Sequence, residues 1–295
     1  MFSTFGFEEA VKNIYRIAAP YAGSGAVRTT DDLRRIYHDF LTSHQPYMPV
    51  NRGDECLIDD EVIEAALVRA YSFNNTLDDL QQAHIIGQPY EASEKRQRLS
   101  VARAAIAEFK SLDAHLAILF DLVIHSVVLR PSKRHNGRAS FGGSSSAALG
   151  TIWLSLGPNV RQADLVEMLL HELTHHLLFI DERSFAHYDY PALSQKHNQA
   201  YSAILNLTRP IDKVFHSIVV ASELLLGRQR FWPQGHDVRV HPASESMQIE
   251  TQKALASLYA LPNVATLIQP RGHEILTRCA QHCQWQSAVL QEEDS

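Results

Sequence analysis

Cysteine is scarce in this chain. Cys56, Cys279 and Cys283 are its only three thiols in 295 residues, too few for the stapled framework of small secreted domains. Long apolar runs are missing as well. The best candidate, Leu116 to Leu129, is interrupted by Asp121 and His125, short of the roughly 18 uncharged residues that a membrane-spanning helix needs. The first residues, Met1 to Glu9, carry neither a basic stretch nor an apolar core, so no secretory signal is read there. There is no excess of positive charge. A net charge of −6 and a pI near 6.2 argue against a general binder of nucleic acid or anionic lipid. No internal repeat and no low-complexity linker occurs. These absences lead us to expect a cytoplasmic globular protein with neither nucleic acid nor membrane as partner. Its oligomeric state is not legible.

What is present reads as helices around a short β region, a mostly α protein with a small β-sheet (α+β). Thr29 to Asp32 caps a stretch with Leu33, Ile36, Tyr37 and Phe40 at helical spacing. Asp59-Asp60 opens a second helix, and Glu91 to Leu112 is a third. The run Glu94-Lys95-Arg96-Gln97-Arg98 is expected to be a solvated face of that helix. The texture changes near residue 122. Leu122 to Leu129 reads as a strand, Pro131 to Ser146 as a loop and Ala147 to Leu156 as a second strand ended by Gly157-Pro158. We therefore expect a helical N-terminal subdomain over 1–121 and a metal-binding catalytic domain over 122–295, within a chain that can also be one continuous domain.

The informative segment follows the second strand. His171-Glu172-Leu173-Thr174-His175 lies within Leu165 to Ile180, with Asp164 and Glu167 read as its capping box. Residues four apart on a helix lie about 40° apart. Both imidazoles can then reach one metal ion, with Glu172 at the edge of the same face. Burying two imidazoles and a carboxylate between Met168-Leu169-Leu170 and Leu177-Leu178-Phe179-Ile180 costs several kcal/mol unless they are paired. A metal or a tight polar network would pair them. His176, about 100° from His175, is expected beside the ligands or exposed.

Two ligands are not a complete site. The extended three-histidine form of the motif needs Gly at 178 and His at 181, where this chain has Leu178 and Asp181. A downstream helix, Arg209 to Gly227, offers His216 and Glu223, about 20° apart on the helical wheel. His216 is the expected third ligand. Glu223 is an alternative ligand or a group bonded to one, since two histidines with one carboxylate are a common iron set. His187 and His197 sit in polar surroundings. Cys279 and Cys283, with His282 between them and His273 upstream, are read as free helix cysteines. Phe141-Gly142-Gly143-Ser144-Ser145-Ser146 has no P-loop lysine and no G-x-G-x-x-G spacing, so it is read as a flexible loop leading into the strand, with a border of the active site as the alternative. Phe231 to His236 is read as a loop whose aromatics cover the pocket or merely pack.

A strand that turns into an H-E-x-x-H helix resembles the local architecture of zincin-like metalloproteins. His171, Glu172 and His175, followed by Arg209, Pro210 and His216, resemble the HEXXH-motif domain of ribosomal-peptide pathways. That family's members are regarded as α-ketoglutarate-dependent, non-haem-iron peptide β-hydroxylases. The resemblance implies Fe(II) and α-ketoglutarate as cofactors and a peptide or protein as substrate, with Arg138 and Arg209 as candidates for the distal carboxylate of the cosubstrate. The same histidines equally serve a zinc-dependent metallopeptidase with Glu172 as general base. A peptide-binding module without chemistry is a third reading.

Overall fold

The computed structural model describes residues 6–71, 85–133, 139–157, 159–193, 195, 197–205, 207–235 and 239–293, with side chains up to 283. Helix dominates and the sheets are small, of three and two strands, as the mostly α reading expects. Among the described residues no helix is long and apolar enough to cross a membrane. The chain forms two compact units, Phe7–Ser184 and Phe185–Ser295. The change of texture near residue 121 lies inside the first.

The first unit begins with α1 (Phe7–Ala18) and α2 (Thr30–His44). Helix α2 starts at a complete capping box, in which the Thr29 side chain accepts from Asp32 N–H and the Asp32 carboxylate from Thr29 N–H. Two of the orphan donors that open any helix are thereby satisfied. Helices α3 (Glu61–Ala70) and α5 (Ala114–Val123) are capped by Asp60 and Asp113, and α4 (Ala92–Leu112) runs between them.

The sheet is shorter than the sequence suggests. Leu122 and Val123 end α5, so β1 is only Ser126–Leu129. Ala147 to Gly150 forms a turn, so β3 is only Thr151–Leu154. Both strands are fully buried, β1 runs parallel to β3, and β2 (Gly142–Gly143) pairs antiparallel on the far side of β3. Val127 N–H donates to Cys56 C=O at 2.7 Å, and Ile58 N–H to Val127 C=O at 3.1 Å. These two bonds cover the other edge of β1 at Val127.

One cluster of buried charge in this unit centres on α3. Glu64 on α3 is fully inaccessible and is held by Lys95 Nζ at 2.7 Å and by Arg130 Nε. Lys95 also donates to Asp59 C=O at 2.8 Å, and Trp153 Nε1 donates to Arg130 C=O at 3.0 Å. Part of the run expected as a solvated face of α4 thus turns inward, because the ammonium of Lys95 neutralises a carboxylate that could not be buried alone.

Helix α6 (Gln162–Ser184) completes the unit and packs against α1, α4, α5 and β2. It starts two residues before the expected cap. Asp164 lies inside the first turn and accepts from Arg161 N–H at 2.9 Å. It is therefore the acid that reaches back to the cap position, not the cap itself. The helix does not break at Asp181, whose carboxylate accepts from Asn13 Nδ2 at 2.6 Å.

In the second unit, α7 (Tyr190–Leu193) precedes a hairpin of β4 (Gln199–Tyr201) and β5 (Thr208–Pro210). Helix α8 (Ile211–Phe231) follows and packs against α9 (Ser244–Tyr259) and α11 (Pro270–Glu293), with the short α10 (Val264–Leu267) before the last. Arg209 and Pro210 belong to β5, with Pro210 as N-cap. The helix continues through Gly227 to Phe231, because Gly227 is buried within it and tertiary packing overrides the weak helix propensity of glycine.

Candidate metal centre on helix α6

Helix α6 is buried nearly all round, and from Asp164 to Asp181 every residue is buried except His171, His175 and Phe179. These three fall at i, i+4 and i+8, one stripe of the helix. The two imidazoles therefore occupy the half-accessible window of an otherwise sealed helix. Their Nε2 atoms are 3.1 Å apart, and the His175 ring stacks on Phe179 at 6.2 Å. A metal about 2.0–2.1 Å from each nitrogen would separate them by about 2.9 Å at a right angle and about 3.4 Å at a tetrahedral angle. The observed separation falls between these values, so the pair fits a shared metal ion. His171, Glu172 and His175 each place one ligand atom within 4.8 Å of the others, the one such group among the described residues.

Glu172 is almost completely inaccessible. One carboxylate oxygen, Oε2, accepts a hydrogen bond from Ser144 Oγ at 2.6 Å. Burial pushes its pKa up to about 8, and the Ser144 bond opposes that shift.

His176 is neither exposed nor aimed at the pair. It is buried, its Nδ1 accepts from Gly150 N–H at 3.3 Å, and its Nε2–H donates to Thr151 C=O at 3.1 Å. It ties the metal-motif helix to the start of β3. Gly150 has φ +79° there, and a Cβ would lie 2.5 Å from His125 Cδ2 and 2.9 Å from Val123 C=O. Its carbonyl also accepts from the N–H groups of His125 and Ser126. Only glycine fits this turn. Spacing alone did not single out Gly150 or Ser144; their roles depend on contacts across 25 residues or more.

Of the other candidates, Arg138 lies outside the described residues. His216 and Glu223 lie in the second unit, both buried on α8. His216 is held well below its ordinary pKa by burial, then by Lys213, His187 and Arg209, so it is a neutral imidazole of the kind that ligates metals. Arg209 sits half-buried on β5, opposite Ala200. His187 is buried beside Phe215, 5.5 Å between ring centres. Cys279 and Cys283 are buried and form no disulfide among the described residues. Phe231 ends α8, Trp232 is its C-cap, and His236 lies outside the described residues. Comparison with known protein families and with curated proteins finds no match.

Proposed function

We propose that the protein is a mononuclear metalloenzyme and that its reaction is Fe(II)- and α-ketoglutarate-dependent hydroxylation of a peptide side chain, in the cytoplasm, as in the tailoring of ribosomally made peptides. The observation that carries the metal reading is the 3.1 Å approach of His171 and His175 Nε2 beside the Glu172 carboxyl. The choice of oxidation rests on the resemblance of the Arg209-Pro210 and His216 segment.

His171 and His175 would hold the iron, and bound Fe(II) would supply oxygen activation coupled to decarboxylation of the keto acid. The protein's own part is arrangement. Burial of the rest of α6 leaves the two imidazoles together on its half-accessible stripe. Phe179 shields one flank of His175. Glu172 offers a carboxyl to a ligand or substrate group beside the metal. His216→Ala tests whether the second unit supplies the remaining ligand, with Glu223→Ala as the alternative. Arg209→Ala tests the distal carboxylate partner.

A second reading is favoured by one observation. Glu172, buried and able to carry a proton at neutral pH, is also the general base and acid that a zinc peptidase needs. Anaerobic loading with Fe(II), then addition of α-ketoglutarate, oxygen and candidate peptides, separates the two. Peptide-dependent succinate formation is the expected outcome. Chelator-sensitive peptide cleavage with zinc, and no succinate, would overturn the oxygenase reading in favour of the hydrolase.

A further inference from the structure

The carboxylate of Glu172 is not oriented by its own helix. Its partner comes from the strand edge, where Ser144 follows directly on β2. That strand has little freedom. A Cβ on Gly142 would lie 2.7 Å from Trp153 C=O and 3.2 Å from Met168 Cε, so β2 lies close against both β3 and α6. Tyr71 Oη is 2.8 Å from Thr151 C=O and 3.2 Å from Gly143 C=O, which pins the strand from the α3 side. Ser144 itself is only 7% exposed. A buried hydroxyl carried on so fixed a segment makes a rigid donor, the support that a reactive group needs to keep its geometry.

We propose that Ser144 is a positioning residue for the metal centre: its hydroxyl fixes Oε2 of Glu172 so that the other carboxylate oxygen serves a molecule bound at His171 and His175. The inference rests on the metal-centre reading and holds for the oxidative and the hydrolytic chemistry alike. It assigns Ser144 a role exercised only through Glu172. Any effect of removing its hydroxyl must therefore disappear once Glu172 can no longer accept in the same way.

A double-mutant cycle tests this. Wild type, Ser144→Ala, Glu172→Ala and the double variant are loaded with Co(II), and binding of acetohydroxamate is followed in the visible spectrum. Acetohydroxamate chelates a metal through its oxygens, and its protons need an acceptor beside the metal. Ser144→Ala is expected to weaken its binding about tenfold, or about 1.4 kcal/mol. In the Glu172→Ala background the same change is expected to have no further effect, and Ser144→Thr is expected to restore binding. Infrared difference spectra of the metal-free proteins supply an independent readout. The carboxyl band of Glu172 should move in Ser144→Ala, and that movement should be missing in the Glu172→Ala background. Equal weakening in both backgrounds, or none in either, would overturn the role of Ser144 and leave the metal centre standing. Failure of the wild type to take up Co(II) would overturn the metal centre and this inference with it.

Discussion

Replacing Gly150 by alanine strikes the junction between β3 and the metal-motif helix, and its cost divides into two parts. The first is conformational. At φ +79° an L residue is strained by about 1–2 kcal/mol. The second is steric. A Cβ 2.5 Å from His125 and 2.9 Å from the Val123 carbonyl forces backbone or a buried ring to move, and overpacking of this kind costs about 1–3 kcal/mol. The sum, about 2–5 kcal/mol, corresponds to a fall in Tm of roughly 4–20 °C at about 2–4 °C per kcal/mol for a unit of this size. Gly23 provides the control. It has φ +60° with nothing within 4 Å of an added Cβ, so Gly23→Ala is expected to show the conformational part alone, roughly 2–8 °C. Calorimetry on both variants isolates the steric part as their difference. Equal losses in the two would refute the argument that close approach to His125 makes Gly150 indispensable.

Three further outcomes follow from the same contacts. Glu64→Gln removes the buried carboxylate between Lys95 and Arg130, leaving Lys95 the exposed Asp59 carboxylate at 3.5 Å, and should cost about 3–5 kcal/mol in urea unfolding; a loss below about 1 kcal/mol would contradict that reading of the cluster. Tyr71→Phe removes the hydroxyl near Thr151 and Gly143 C=O and should cost about 1–2 kcal/mol, with faster hydrogen exchange in β2; unchanged exchange would count against the pinned strand. Burial holds His125 down to a pKa of about 3, and burial with Arg34 and Arg52 holds His38 down to about 4. The unfolded imidazoles, near 6.5, take up protons that the folded ones refuse. Their stability contribution is complete above pH 6.5 and declines towards pH 4, by up to about 1.4 kcal/mol per pH unit for each histidine. A urea midpoint that stays flat from pH 7 to 4.5 would show that these rings are not buried neutral.

Helix α6 was legible because its apolar period and its charged interruptions are local features. The pairing of His171 with His175 follows from helical geometry alone. Strand limits were less legible, since Leu122 and Val123 carry β-prone chemistry yet complete α5 under the cap at Asp113. Asp164 looked like a cap because a capping acid and a cap residue share one side-chain chemistry, and only the bond from Arg161 N–H tells them apart. Lys95 and Glu64 are 31 positions apart, and neither residue's surroundings announce the pair. Ser144 falls in a segment that reads as a loop leading into the strand, and its bond to Glu172 spans 28 positions and depends on how β2 docks, which no periodicity encodes.

The central claim is that His171 and His175 hold a metal ion, and metal stoichiometry tests it most directly. Purified wild type, His171→Ala and His175→Ala are each reconstituted anaerobically with Fe(II), or with Zn(II), freed of loose metal and analysed for bound ion. The account predicts about one ion per chain in the wild type and its loss in both variants, with folding intact by circular dichroism. Retention of the full metal content by either folded variant would contradict it.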